Sequence, residues 1–194
     1  MLGMPAIFSD ASPACVFVLV SRKDELPARG VMQSWNNDMK FIASLIVVED
    51  IERSRYLYET ILGQSVKYDF GENVTFHGDF AIHQKAHFKE LINQNSILSK
   101  SNNFELYFET DELEKIVNRL KESEVEFIHE IVEQPWRQRV VRFYDYDFNI
   151  VEIGESLEHV AFRLYQEKLS IDEICRITYL SKEAVENSLN KYSK

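Results

Sequence analysis

From residue 40 onward, apolar positions follow the same order of strand and helix patterns twice. In the first pass, the β-branched run 41–48 predicts a strand. Apolar residues at helical spacing follow it, between Asp50, a suitable helix N-cap, and Gly63, which stands where a C-cap belongs. Glycine turns then separate three short runs that predict strands: 65–70, 73–76 and 80–83.

The second pass repeats this order of elements. Residues 104–109 predict a strand, and the apolar spacing of 113–120 predicts a helix. Three more predicted strands follow: 125–130, 139–144 and 149–153. The strand-to-helix entries 46–53 and 108–115 align without gaps at an offset of 62 residues. Because the offset and the element order both repeat, we interpret the halves as a duplication.

The pattern predicts an α+β fold of two βαβββ modules in a domain spanning residues 39–155. Module one covers 40–92 and module two covers 103–155, and the segment between the halves includes a predicted helix at 86–92. Residues 156–194 change character and predict three helices, the second of which opens with a capping box at Ser170 and Glu173. The last two helices resemble a helix-turn-helix in which Tyr179 replaces the usual turn glycine.

Residues 1–38 differ in composition from the rest of the chain. They contain three of the four prolines, and every methionine lies at or before residue 39. Their one long apolar run, 14–20, lacks the basic residues that precede a secretory signal, and it has no obvious hairpin partner. We predict an extension outside the fold, with a lone buried strand at 14–20 as the alternative.

Charge argues against several classes of partner. The chain carries 22 Lys and Arg against 32 Asp and Glu, a net charge of −10, and residues 156–194 are neutral overall. This balance argues against a nucleic-acid binder and against docking on an anionic membrane. Two cysteines form no disulfide framework, so a cytoplasmic location is expected. No apolar run approaches the roughly 20 residues that span a bilayer.

Two stretches carry a resemblance to a known family. The first is residues 45–63, which run from a strand through Asp50 to Gly63, and the second runs from Gln134-Pro135-Trp136 to Glu152. Both resemble the vicinal oxygen chelate superfamily, which includes glyoxalase I, bleomycin resistance proteins and extradiol dioxygenases. The resemblance covers about residues 40–155. It implies that the two modules pair into a curled mixed sheet, a glyoxalase-like cup that holds a small-molecule ligand, and that the protein is a homodimer.

The resemblance also implies four metal positions, one on the first and one on the last strand of each module. The first falls on Ala43, which has no ligand atom. The second falls on His83 or its neighbour Gln84, and strand alternation favours His83. In module two the same alternation turns Glu105 and Glu152 into the cup. This set of one imidazole and two carboxylates is suited to Zn, Mn, Fe or Ni, if a divalent metal is bound.

Other residues are candidates for catalysis and for lining the cup. Glu105 or Glu152 is a candidate base for proton transfer. An aromatic and Arg lining would suit a planar or anionic small molecule; the substrate-binding candidates are Tyr107, Trp136, Arg139 and Tyr144. The family has glycine after the tryptophan and in the turn that precedes the last strand. Here Arg137 and Phe148 stand in those regions, so that turn is expected to take another shape.

Three functional hypotheses remain open from the sequence. The first is a small-molecule protein of this family, which is a metal-dependent lyase, isomerase or dioxygenase if it is an enzyme. The second is a non-catalytic, resistance-type protein that binds a drug or a metabolite, which Ala43 favours. The third is a ligand-sensing regulator whose helical tail contacts DNA.

Overall fold

The computed structural model describes residues 40–193. The predicted extension at 1–38 and its apolar run 14–20 therefore lie outside the described residues. Within the described part, no helix is long and apolar enough to cross a membrane.

Module one forms a four-stranded sheet covered by a helix. Its strands are β1 (Ser44–Val48), β2 (Val66–Asp69), β3 (Asn73–Phe76) and β4 (Phe80–Gln84). They lie in the order β1-β4-β3-β2, with β1 parallel to β4. The covering helix begins as α1 (Ile51–Arg55), where Asp50 caps it by accepting from the Arg53 amide, and continues as a π-helix (Tyr56–Ile61). The apolar pattern predicts one helix here, because the side chains buried by the π-helix also match helical spacing.

Module two repeats the topology. Its strands are β5 (Glu105–Thr110), β6 (Glu126–Glu133), β7 (Arg139–Tyr144) and β8 (Ile150–Glu155), in the order β5-β8-β7-β6. Helix α3 (Leu113–Lys121) covers this sheet, and α2 (Lys85–Leu91) follows β4 between the modules. The fold prediction is confirmed: two βαβββ modules with mixed sheets, followed by helices.

One hydrophobic core lies under both sheets. The rings of Phe80 and Phe108 meet edge to face at 5.5 Å and join the two modules. The Tyr58 hydroxyl, fully buried in module one, donates to the Asp145 carboxylate of module two at 3.0 Å. No strand of one sheet pairs with a strand of the other among residues 40–193.

The turn between β7 and β8 keeps the backbone that glycine usually adopts. Phe148 has φ 66°, in the left-handed region, so the expectation of another turn shape is wrong. The Asp145 carboxylate holds this turn because it accepts from the Asp147 amide at 2.9 Å and from the Asn149 amide at 2.8 Å.

Three helices follow β8 and build a second hydrophobic cluster. They are α4 (Leu157–Gln166), α5 (Ile171–Thr178) and α6 (Lys182–Tyr192). The capping box predicted at Ser170 and Glu173 is present, and Tyr179 takes the left-handed conformation at φ 60° between α5 and α6. The predicted domain boundary at residue 155 stays a prediction.

The Glu155 carboxylate connects these helices to β7. Its side chain is 1% exposed and accepts from Arg139 Nη2 at 2.6 Å and from Arg163 Nη2 at 3.0 Å. It also accepts from the Arg139 backbone amide at 3.1 Å. Burial alone would raise the pKa of Glu155, but the hydrogen bonds from the two arginines outweigh it and lower the pKa.

Candidate functional site

Strand alternation divides each sheet into a face on the helices and an open face. In β4, Phe80 and Ile82 enter the core, so His83 lies on the open face. In β8, Val151 and Ile153 enter the core, and Glu152 lies opposite Tyr107 on the open face. The two open faces are the candidate cup walls.

His83 is the centre of a polar cluster on the first wall. It is 6% exposed, and its Nδ1 lies 3.0 Å from Asn73 Nδ2. Its Nε2 lies 3.1 Å from His87 Nδ1, which is itself 2.9 Å from a Glu72 carboxylate oxygen. Burial, and then the neighbouring His87, lower the pKa of His83, which favours its neutral form.

Sequence reasoning missed His87 and Glu72, which have no role in the family pattern that suggested His83. The turn from β4 into α2 brings His87 back over His83, because the Gln84 side chain caps α2 by accepting from the His87 amide at 2.9 Å. The sequence does contain one signal for this turn: Gln84 can cap a helix through the amide of the residue three positions later, His87.

Arg142 is the centre of the second wall. Its guanidinium forms ion pairs with Glu105, at 3.1 Å, and with Glu152. Glu152 is 6% exposed, whereas Glu105 lies in solvent. The two carboxylates predicted as metal ligands or bases are therefore brought together by one cation.

Arg139 does not share this wall. It lies three positions before Arg142 on β7, so its side chain lies on the opposite face and pairs with Glu114 of α3 at 2.6 Å and with Glu155. The prediction that Arg139 lines the cup is wrong, and Arg142 occupies the corresponding place.

A chain of hydrogen bonds runs along the end of the second wall that carries Trp136 and Tyr107. Trp136 Nε1 donates to Gln138 Oε1 at 2.9 Å, and Gln138 Nε2 donates to the Tyr107 hydroxyl at 2.7 Å. The Tyr107 hydroxyl donates in turn to Glu109 at 2.7 Å. Burial, followed by the hydrogen bond to Glu109, raises the pKa of Tyr107 to about 12, so this hydroxyl stays protonated at neutral pH.

Gly154 leaves the space that this chain of hydrogen bonds occupies. A Cβ at Gly154 would lie 2.9 Å from Gln138 Nε2 and 3.2 Å from the Tyr107 hydroxyl oxygen.

We expect Gly154→Ala to lower the free energy of unfolding by about 1–3 kcal/mol, because a buried amide must move. Urea unfolding measures the change. If the contact is the cause, the cost is much smaller when Gln138 is already alanine; equal costs in both backgrounds would contradict this explanation.

Tyr144 lies at the other end of the second wall, beside the linker that leads into β5. Its hydroxyl donates to Asn102 Oδ1 at 3.0 Å. Lys100 Nζ lies 4.7 Å from the centre of the Tyr144 ring and 4.6 Å from that of Phe148. The same Nζ donates to both carboxylate oxygens of Glu126, at 2.8 and 3.1 Å.

The predicted metal ligands do not fit a resident divalent ion in this arrangement. Within residues 40–193, no three His, Cys, Asp or Glu side chains cluster as metal ligands do. Ala43 offers no ligand atom, His83 Nε2 contacts His87, and Arg142 pairs with Glu105 and Glu152. A guanidinium already neutralises the carboxylates whose charge would attract the metal.

The arrangement of these sheets and their open faces is that of a glyoxalase-like protein. A family model described as a glyoxalase-like domain matches residues 41–158, and the chain belongs to this family. The family lies within the vicinal oxygen chelate superfamily, as the sequence resemblance indicated.

Solved structures agree on the fold. A protein of unknown function from Agrobacterium tumefaciens is 38% identical, with a TM-score of 0.55 over 61% of this chain and 94% of that chain. A hypothetical protein from S. aureus is 19% identical, with a TM-score of 0.54 over 60% and 94%. A glyoxalase/bleomycin resistance protein/dioxygenase family enzyme from Burkholderia phytofirmans is 15% identical, with a TM-score of 0.51 over 60% and 98%. No curated protein sequence matches this chain.

Proposed function

We propose that this chain binds a small molecule between its two open sheet faces and does so without a resident metal ion. The observation that carries the proposal is the pairing of Arg142 with both Glu105 and Glu152. Ala43 stands at the family position on the first strand of module one, so three of the four positions are withdrawn from metal binding. This favours the second hypothesis, a binding protein of the resistance type.

The charge on the second wall further defines the ligand. Four carboxylates lie on this wall or at its ends, and they outnumber the two cations paired with them, Arg142 and Lys100. The carboxylates are Glu105, Glu109, Glu126 and Glu152. Arg142 takes the place predicted for Arg139, but Glu105 and Glu152 already neutralise it, so the anionic ligand expected from an Arg lining loses its support. A neutral or cationic planar molecule fits this wall better.

Metal content tests the proposal directly. We expect the full chain to hold far less than one equivalent of metal after incubation with Mn, Zn, Ni or Fe(II) and desalting, because Arg142 competes for the carboxylates. Elemental mass spectrometry on wild type, His83→Ala, Glu152→Ala and the control Glu130→Ala makes the measurement. Glu130 is exposed and pairs with Lys121.

Near-stoichiometric metal that is lost in His83→Ala and Glu152→Ala but kept in Glu130→Ala would overturn the proposal. It would establish the alternative, a metal-dependent lyase, isomerase or dioxygenase. With little metal bound, the search for ligands uses shifts in melting temperature.

The partner predictions remain part of this proposal. Small-molecule binding and dimer formation are common in the family. For this chain a homodimer stays a prediction, which light scattering on the full chain tests. The neutral charge of the helical tail gives no support to DNA contact, and the cytoplasmic location stays a prediction from the sequence.

A further inference from the structure

One cation is held in the cup wall by the kind of cage that proteins use for organic cations. Lys100 Nζ stands over two aromatic rings and donates to the Glu126 carboxylate. The Tyr144 and Phe148 rings meet edge to face with centroids 6.0 Å apart, which leaves a corner between them. Aromatic faces with a nearby carboxylate recognise ammonium groups through their quadrupoles and through charge.

The cage itself belongs to the sheet, whereas Lys100 belongs to the linker. Glu126 and Tyr144 are a cross-strand pair of β6 and β7, and Phe148 lies in the turn held by Asp145. Lys100 comes from residues 97–102, a segment that we call the strap. Lys100 has a left-handed backbone, at φ 52°, which is unfavourable for its side chain, whereas Asn102, at φ 56°, is a residue type that tolerates this region. The cage is therefore built on a pair of strands and a hydrogen-bonded turn, whereas its present occupant is carried by the linker.

A cavity adjoins the cage and shares one wall with it. Its volume is about 360 Å³, and Phe148 lines it together with Ser99 and Ser101 of the strap. The rest of its lining includes the apolar Leu45, Phe88, Leu98 and Phe104 and the charged Lys85 and Asp147. This volume lies within the range of small-molecule sites, which is roughly 300–1,000 Å³.

We propose that the cup ligand is an organic ammonium compound whose cation replaces Lys100 between Tyr144, Phe148 and Glu126. Its apolar body occupies the cavity beside Phe148, and its binding displaces the strap. Lys100 thus acts as an intramolecular competitor. This inference rests on the proposed small-molecule function and adds the class of ligand and the residue that controls its access.

Calorimetry with benzyltrimethylammonium tests the exchange. We expect Lys100→Ala to bind this probe about tenfold more tightly than wild type, because the variant lacks the tethered competitor. Lys100→Gln should show the same gain, since it retains the chain length without the charge. Lys100→Arg keeps a cation at this position and should bind like wild type.

Two further comparisons assign the gain to the cage. In the Lys100→Ala background, Glu126→Gln and Tyr144→Leu should each return the affinity to the wild-type value or below. Choline should gain affinity in Lys100→Ala, whereas its neutral isostere, with carbon in place of nitrogen, should not. Thermal melting of each variant verifies that the fold is retained.

Two results would overturn the inference: no gain in affinity for Lys100→Ala and Lys100→Gln, or an equal gain for the neutral isostere. The metal measurement separates this inference from the proposed function. Stoichiometric metal together with the Lys100-dependent gain would overturn only the metal-free proposal. Low metal without the gain would overturn only the cation cage.

Discussion

Replacing Glu155 with alanine is expected to lower the free energy of unfolding by about 3 kcal/mol, one of the two largest effects in this protein. The carboxylate is almost fully buried and accepts from Arg139 and Arg163. Its removal leaves two guanidinium groups without their shared partner, together with a free Arg139 amide. Chemical denaturation followed by circular dichroism measures the loss.

Glu133→Ala is the matched control, because Glu133 is exposed and pairs with Arg137 and Arg163 at the surface. It should cost less than about 1 kcal/mol. Equal losses for the two variants would contradict the importance of burial at Glu155.

Glu155 should also make the stability of the protein depend on pH in the acid range. Because the folded protein lowers the pKa of Glu155, its stabilisation is present above the ordinary value of 4.5 and is lost as pH falls through the folded pKa. Wild type should therefore lose stability below pH 4.5 more steeply than Glu155→Gln, as measured by denaturation at a series of pH values. Parallel pH profiles for the two proteins would contradict this linkage.

Asp145→Ala is expected to cost a similar amount, about 3 kcal/mol, at the junction of the two modules. The carboxylate accepts from the buried Tyr58 hydroxyl, from two backbone amides of its turn and from the Asn149 side-chain amide at 2.9 Å. Alanine removes the acceptor of all these donors and leaves the fully buried Tyr58 hydroxyl without its partner. Equilibrium unfolding in urea measures the effect.

Two variants define the source of this loss. Asp147→Ala removes another carboxylate of the same turn, which within residues 40–193 accepts only from the Glu49 amide. It should cost less than about 1 kcal/mol. Tyr58→Phe removes one of the four donors and should cost about 1–2 kcal/mol. If Asp147→Ala is as costly as Asp145→Ala, the turn as a whole and not the buried carboxylate determines the stability.

The fold could be predicted from the sequence because the alternation of apolar residues in strands and their spacing in helices are local properties of the chain. The pattern in β8 placed Val151 and Ile153 in the core and Glu152 opposite, as the structure does. Element ends were less predictable: β6 runs to Glu133, beyond the predicted end at 130, because strand pairing with β7 extends it.

The site was harder to predict from the sequence because its contacts join residues that are far apart along the chain. Alternation alone separates Arg139 from Tyr144, five positions apart on one strand, so the two cannot share a face. Applied fully, it would have selected Arg142. The contacts of Lys100 with Tyr144 and Glu126 depend on the path of the linker, for which no local pattern exists.

Three turns keep a left-handed backbone without glycine. Arg137 and Phe148 replace glycines of the family pattern, and Tyr179 replaces the usual glycine of a helix-turn-helix; their φ angles are 67°, 66° and 60°. Surrounding hydrogen bonds, such as those of Asp145 around Phe148, offset the strain of about 1–2 kcal/mol per residue. A missing glycine therefore does not predict a different turn.

The absence of strand pairing between the two sheets within residues 40–193 has a mechanical consequence. In a continuous sheet, backbone hydrogen bonds between strands would fix the distance between the two walls. Here that distance is set by side chains that meet between the modules, such as Phe80 and Phe108. Side-chain contacts are short-ranged and change by rotamer adjustment, whereas a ladder changes only by breaking hydrogen bonds. The aperture of the cup is thus an adjustable dimension of the fold, tuned by the size of a few residues at one line of contact.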